Sequence, residues 1–443
     1  MGDTLFGLGV GTEMVIAFFV FLLLRVPVAF ALGLAAIFAM WQLGFGLDFV
    51  GDLIAASVTR FSLLAIPFFI LAGILMGAVG MAKRMLDFFR VAMGALPGGM
   101  GVVGTVVCLF WGSVSGSGPA SVAAIGPLIV KGMTDDGYRP AFAAALVCTG
   151  AALSIVIPPS IGLVIYGVIA ETSISGLFLA AIVPGLLMGL LMLLALPFAK
   201  RGGTAGERSS LQELLPEPYA GEAYATRLVR SFLDAFWGLL TPILILGGIY
   251  SGAFTPTEAA IIATVYALFV GAVIYRTLTP AVLFKSLSEA SAGSAAVMLV
   301  VAFASLFGWV VTVDDLVGQY SGALLALSEN PWVILAVMLA ILLVTGMFMD
   351  AITIMFITLP IFLPVVRAMG WDPTWFGVVL MVSLAIGLFT PPVGINLFVA
   401  ANITRLSIER IAVAAVPFLL VSLLGLSLLA AFPVLSQLGG WFR

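Results

Sequence analysis

The sequence predicts an all-α polytopic membrane protein built from two copies of one unit, each copy carrying a helical hairpin and a broken helix. Three observations predict it. The chain of 443 residues is 63% hydrophobic and only 9% charged, where a soluble domain carries about 25% charged residues. The apolar residues form long continuous runs with no alternation, which fits spanning helices and not the strands of a membrane barrel. Rare helix breakers also recur at one fixed offset along the chain, the mark of an internal duplication.

A spanning helix needs about 20 apolar residues, so the length allows roughly ten to twelve spans. The first is expected from about Thr12 to Leu24, and Arg25-Val26-Pro27 turns the chain into a second, Val28 to about Leu43. Glu13 and Arg25 lie near span ends, where their charged heads snorkel to water. A polar interval from Gly51-Asp52 to Ser62 precedes an apolar helix from about Leu64 to Val79. In the following MAKRMLDFFRVAMGALPGG, Lys83, Arg84, Asp87 and Arg90 alternate with Met, Leu and Phe, the pattern of a helix lying in the membrane interface.

The stretch Trp111 to Ser121, WGSVSGSGPAS, sets four serines and three glycines between apolar runs. Unpaired backbone groups exposed to lipid cost several kcal/mol each, so such a break belongs inside protein or beside a watery cavity. The flanking arms read as only about 14 residues each, short enough for a re-entrant hairpin in place of two full spans. Lys131 to Pro140 is a polar turn, and the helix after it is interrupted at Ser154 to Ser160, where Pro158 and Pro159 remove two backbone donors. A span from about Ile174 to Ala199 then leads to a polar segment, Lys200 to Thr226, which divides the chain.

The second half replays the first. Thr255-Pro256-Thr257-Glu258 forms a capping box with proline at the first helical position. At an offset of 233 residues Pro127 pairs with Pro360, Gly137 with Gly370, Pro140 with Pro373, and Pro184 with Pro417. The double proline pairs with Pro391 and Pro392. The same offset sets Ser113 against Gly346 and Ser117 against Asp350, so Thr345 to Thr353 is the second hairpin tip and Gly387 to Asn396 the second broken helix. One hairpin and one interrupted helix per copy is the arrangement of secondary transporters.

Several chemistries are excluded. The chain has no histidine, which removes the usual general base of serine and cysteine hydrolases and most zinc sites. Ser113, Ser115 and Ser117 do not sit in a G-x-S-x-G pattern, and no G-x-x-x-x-G-K-[ST] loop occurs. No enzyme activity is expected. Cys108 and Cys148 lie in apolar runs and read as small packing residues. The net charge of −3 decides nothing with so few charges to place, and an N-terminus without a basic stretch gives no indication of a cleaved signal peptide.

The two breaks carry the chemistry. Half-helix N-termini offer free N–H groups to a carboxylate, and unwound carbonyls offer oxygens to Na⁺. Ser113 and Ser115 with the carbonyls around Ser154 to Pro159 can form one cation cage; Gly346, Gly387, Thr390 and the carbonyl of Val393 can form the other. Asp350 is a lone acid in an apolar run. It can bind the cation, bond within the hairpin tip, carry a proton, or cap the following helix. Ser160 and Asn396 follow the double prolines and can donate to substrate oxygens, and Ser117 occupies the matching place at the first tip. Asp314 and Asp315 read as a helix end.

GSVSGSGPAS, IPPSIGLVIYG, GMFMDAIT and GLFTPPVGINLF, in this order, resemble the large membrane subunit of tripartite ATP-independent periplasmic (TRAP) transporters, the C4-dicarboxylate or sialic-acid M subunit. The resemblance covers nearly the whole chain. It implies an inverted-repeat, elevator-type importer of an organic acid, driven by Na⁺ symport at two sites and located in the bacterial inner membrane. One site takes Ser113, Ser115 and the Ser154, Ile157, Pro159 region; the other takes Gly346, Gly387, Thr390 and Val393. Substrate contacts fall to Ser117, Ser160, Asp350 and Asn396. Where relatives often carry glycine, Ser154 adds a hydroxyl to the first site. Implied partners are a four-helix small membrane subunit, expected as a separate chain because this one begins with its own first span, and a periplasmic substrate-binding protein. The expected division is scaffold at 1–60, transport part at 61–199 with a hairpin near 97–132, linker at 200–226, scaffold at 227–290, and transport part at 291–443 with a hairpin near 331–367. The alternative is an ion- or proton-coupled carboxylate carrier of related fold that works without a binding protein.

Overall fold

The computed structural model describes residues 9–199, 219 and 221–437, so the expected linker at 200–226 lies mostly outside the described residues. Among these residues every regular element is helical. The first copy opens with α1 (Val10–Leu23), α2 (Val28–Gln42), α3 (Leu47–Val58) and α4 (Ala65–Ala78), the last preceded by a 3-10 turn at Phe61–Leu64. The amphipathic α5 (Met81–Met93) follows. Then come the hairpin arms α6 (Met100–Ser115) and α7 (Gly118–Asp135), the broken pair α8 (Pro140–Ala152) and α9 (Ile161–Ala170), and α10 (Ile174–Leu193).

The second copy starts with α11 (Tyr224–Tyr250), α12 (Pro256–Phe269), the 34-residue α13 (Pro280–Val313) and α14 (Leu316–Ala326). Its hairpin is α15 (Pro331–Gly346) and α16 (Ala351–Ala368), its broken pair α17 (Pro373–Gly387) and α18 (Ile395–Thr404). It closes with α19 (Ile408–Ala431) and the short α20 (Val434–Gln437). α7 and α16 differ by the 233-residue offset at both ends, and α8 and α17 both begin on the paired prolines Pro140 and Pro373. The peptide bonds Pro158–Pro159 and Pro391–Pro392 are both cis.

Local chemistry sets these ends. Thr255 accepts from the Glu258 amide while the Glu258 carboxylate accepts from the Thr255 amide at 2.8 Å, so the expected capping box forms at α12. The hairpin arms run to 16 and 18 residues, longer than read from the sequence. α7 continues through Lys131 to Asp135, because Gly137 at φ 91° supplies the left-handed turn that ends it. The Tyr138 amide then donates back to the Met133 carbonyl at 2.9 Å. Glu13 does not snorkel: it is 3% exposed and its carboxylate accepts from Gln42 Nε2 at 2.7 Å, since the turn at Arg25 brings α2 back alongside α1. Asp314 does end α13, and its carboxylate also caps the start of α1, accepting from the Gly11 amide at 2.7 Å.

The copies interlock. α2 packs on α13 and α12 on α4; α19 packs on α8 and α10 on α17; α18 packs on α7 and α8, and α9 on α16 and α17. Each contact has its exchanged counterpart, so the core is shared and not divided into halves. Tyr166 of α9 donates to the Pro373 carbonyl at 2.6 Å. Beside it a Cβ on Gly377 would lie 2.5 Å from the Tyr166 ring. Cys148 and Asn396 bond across the copies, Asn396 Nδ2 donating to the Cys148 carbonyl at 2.8 Å. Cys108 and Cys148 are buried free thiols.

This crossing yields a stability prediction. Gly377→Val should lower the detergent-solubilised protein's thermal midpoint, by an overpacking cost of about 1–3 kcal/mol. Gly322→Val, where nothing lies within 4 Å of the added Cβ, should leave the midpoint within the small range of surface changes. Differential scanning fluorimetry of both variants checks it; equal shifts would refute the tight crossing.

Candidate functional site

Each hairpin tip is short because its helix ends are set by residue type. α6 stops at Ser115 with Gly116 at φ 62°, and Ser117, in extended conformation, precedes α7 with no side chain capping its first turn. At the second tip Asp350 is the N-cap of α16: one carboxylate oxygen accepts from the Thr353 amide at 3.1 Å and the other from the Thr353 hydroxyl at 2.5 Å. Of the roles open to Asp350, capping is the one these bonds display.

In the first break α8 runs out through one 3-10 turn, Leu153–Ile155, before the proline pair. Ser160 caps α9, accepting from the Leu163 amide at 3.4 Å and donating to the Ile155 carbonyl at 2.6 Å. In the second break Gly394 at φ 56° precedes α18. Its amide donates to the Met347 carbonyl of the hairpin tip at 3.0 Å, and the Asn396 amide returns to the Leu388 carbonyl at 2.9 Å.

Of the sequence-predicted cation residues, Gly346 and Gly387 are in direct contact. A Cβ on Gly387 would lie 2.6 Å from Gly346 Cα, so α15 and α17 cross backbone to backbone and only glycine fits. Thr390 stands one turn on, 7% exposed, its hydroxyl donating to the Ile386 carbonyl at 2.6 Å. Val393 adjoins the Gly394 amide that is tied to that tip. In the first copy the crossing is Gly112 against Ser154, with a Cβ on Gly112 3.3 Å from Ser154 Cα. Ser113 donates to the Phe110 carbonyl at 2.6 Å and Ser115 to the Ser117 carbonyl at 3.3 Å. Pro159 presents its carbonyl 3.5 Å from the Cβ position of Gly116, while the Ile157 side chain packs on Gly185 of α10.

Ser154 behaves differently from the expectation of an added hydroxyl at the cage. It is fully buried and its Oγ lies 2.8 Å from Ser121 Oγ in α7. The 233-residue offset puts Gly387 and Ile354 at these places in the second copy, so the hydroxyl pair joins hairpin to broken helix on one side only. Among the described residues no group of three or more His, Cys, Asp or Glu could hold a metal. The available donors at both crossings are carbonyl and hydroxyl oxygens, a hard set that fits an alkali cation and not a soft transition metal.

Both tips open on a cavity of about 910 Å³. Gly118, Ala351, Ile161 and Ile395, the first residues of α7, α16, α9 and α18, all line it. Four helix N-termini therefore border one space; Asp350 and Ser160 cap those of α16 and α9, and those of α7 and α18, with no side-chain cap, keep the partial positive charge that suits an anion. Its far wall is one face of α4, at Ile70, Gly73 and Gly77, and one face of α13, from Val282 to Val300. Gly73 lets the wall touch the tip: a Cβ there would lie 3.2 Å from Ser115 Cα.

Of the substrate residues read from the sequence, Ser117 and Asp350 line this cavity; Ser160 and Asn396 do not. Both of the latter are 0% exposed and bonded into the break, although Asn396 Oδ1 has no partner. Ser115 alone of the cation residues reaches the cavity wall. Sequence reasoning placed the apolar helix at Leu64 to Val79 but missed that α4 and α13 wall the cavity. The G-x-x-x-G spacing at Gly73 and Gly77 was the available signal.

Residues 15–435 match the family described as tripartite ATP-independent periplasmic transporter, DctM component. The isethionate TRAP transporter permease DctMQ of Oleidesulfovibrio alaskensis is 38% identical over 422 residues, covering 95% of this chain and 65% of that protein. The chain thus spans about two thirds of that relative's length. The C4-dicarboxylate TRAP transporter large permease DctM of Pseudomonas aeruginosa is 39% identical over 379 residues, 85% of this chain and 86% of that one. In fold, the YdaH transporter of Alcanivorax borkumensis, described as having an unusual topology, superposes with a TM-score of 0.62 at 16% identity, covering 97% and 98% of the two chains.

The capping bonds make a prediction at the second tip. Asp350→Asn keeps an N-cap acceptor and should cost only a few tenths of a kcal/mol, whereas Asp350→Ala should cost about 1 kcal/mol. Chemical or thermal unfolding in detergent measures both, and equal losses would argue against the cap as the stabilising role.

Proposed function

Because this chain belongs to the tripartite ATP-independent periplasmic transporter family, as its DctM component, we propose that it is the large membrane subunit of a sodium-coupled, binding-protein-dependent importer of organic anions. The cargo class is a C4-dicarboxylate, a sialic acid or a similar small acid. The observation that carries this reading is the meeting of both broken helices and both hairpin tips around one cavity. Anions are met there by helix N-termini. Cations are met behind the tips by the oxygens of Ser113, Ser115 and the Ser154 to Pro159 turn, and by those around Gly346, Gly387, Thr390 and Val393. A bound Na⁺ supplies charge that draws the tip and the break together. Of these residues Ser115 also lines the cavity.

The exchanged packing of the copies supports a two-fold relation between them, since such a relation swaps each contact for its counterpart, and an inverted repeat is one such relation. The cavity lies between the hairpin bodies and the α4–α13 wall, which supports a moving part sliding on a fixed one. In this reading the hairpins, broken helices, α10 and α19 travel as an elevator while α1 to α4 and α11 to α13 stay with the scaffold, which moves the boundaries expected at 60/61 and 290/291 to beyond α4 and beyond the unbroken α13. The protein works in a bacterial inner membrane with a small membrane subunit and a periplasmic binding protein. The names of its relatives and the family description support both partners.

The test is uptake into proteoliposomes holding this chain and its small partner, with binding protein and a radiolabelled acid outside. Uptake should require inward Na⁺ and binding protein. Ser113→Ala and Thr390→Ala should each raise the Na⁺ concentration for half-maximal uptake about tenfold, the equivalent of ~1.4 kcal/mol. Asp350→Asn should retain Na⁺-driven uptake. Uptake driven by protons alone, independent of binding protein and lost in Asp350→Asn, would overturn the sodium reading.

A further inference from the structure

The α13 wall of the cavity is graded. Lys285, Glu289, Gly293, Ala296 and Val300 follow one another at helical spacing on the face that lines it. The charges sit at one end of this face, and the small apolar residues follow along it. Among the described residues lining the cavity Lys285 is the only basic one, and the other charges are Glu289 and Asp350. The side chains of Lys285 and Glu289 are 79% and 54% exposed, which puts them where the cavity opens. Their ion pair is long, 3.8 Å, and runs lysine first along the helix, the less favourable order. At the 233-residue offset Lys285 corresponds to Asp52 and Glu289 to Ala56, so the pair is not inherited from the repeat.

We propose that Lys285 is an anion-recognition residue at the cavity mouth, held loosely by Glu289 until the carboxylate or sulfonate of the cargo takes that partner's place. The proposal deepens the reading of an anionic cargo and rests on it. Helix N-termini inside the cavity give partial positive charge at fixed positions, whereas a lysine on a flexible stem can meet the anion before it reaches them. Glu289 then does two things: it holds the ammonium over the opening, and it makes weak anions compete for it. Cargo selection is thereby shared between the mouth and the interior.

The experiment reads the mouth's charge without needing the cargo. Cys108 and Cys148 are fully buried, so Ala296→Cys on the cavity wall offers one accessible thiol. Its modification rates by anionic sulfonatoethyl and cationic trimethylammonioethyl methanethiosulfonate give a ratio. Lys285→Gln should lower the anion-to-cation ratio about fivefold at low ionic strength, with the difference fading near ~0.5 M salt; Glu289→Gln should raise it. In the uptake assay, with succinate, N-acetylneuraminate and isethionate as probes, Lys285→Gln should raise KM about fivefold with kcat little changed, and Lys285→Arg should restore it. An unchanged thiol ratio, or a loss confined to kcat, overturns the proposal. A shifted ratio with no uptake of any probe by the wild type overturns the transport reading and leaves the charged mouth standing.

Discussion

Backbone polar groups have no water to turn to inside a bilayer, and that constraint organises the chain. Four interruptions sit within its apolar runs, two tips and two proline breaks. Each can persist only where protein supplies partners for the freed groups. The exchanged packing answers the demand: each broken helix is covered by the hairpin arm of the other copy. The Gly346–Gly387 and Gly112–Ser154 crossings follow from the same need. Carbonyls left over by an ending helix are useful only if a second ending helix comes close enough to share a ligand with them.

What the duplication copied and what it let go are equally informative. The second hairpin arms, the starts of the broken helices' first halves and the flanking prolines match residue for residue, while the first tip has two residues where the second has four. The scaffold does not match. Where the second copy has the unbroken α13, the first has α3 and α4 parted at Thr59 and Arg60. The Ser121–Ser154 hydroxyl pair likewise exists on one side only, in place of an isoleucine and a glycine. The two candidate cages are thus related by descent and unequal in chemistry.

Much of this was legible in the sequence because breakers act locally. Proline, glycine and capping residues announce their effect wherever they stand, so the tips, the double-proline breaks and the Thr255–Glu258 box could be placed without coordinates. The cavity's second wall could not, since Gly73 and the α13 face matter only through what they touch across the fold. Ser160 and Asn396 misled for a related reason. Their polarity pointed to a ligand, but the nearest acceptors were the carbonyls of Ile155 and Cys148. Glu13 was read as a surface charge because Gln42, its partner, is 29 positions away.

The interlocked core has a consequence for how the protein is made. α7 and α8 find their cover in α18 and α19, which lie more than 200 residues later in the chain. At about 5–20 residues per second, a ribosome needs roughly ten to fifty seconds to deliver them. For that interval α7 and α8 stand inserted without the cover of α18 and α19. The first half is therefore a dependent intermediate, and the fold becomes complete only when the last long helix arrives.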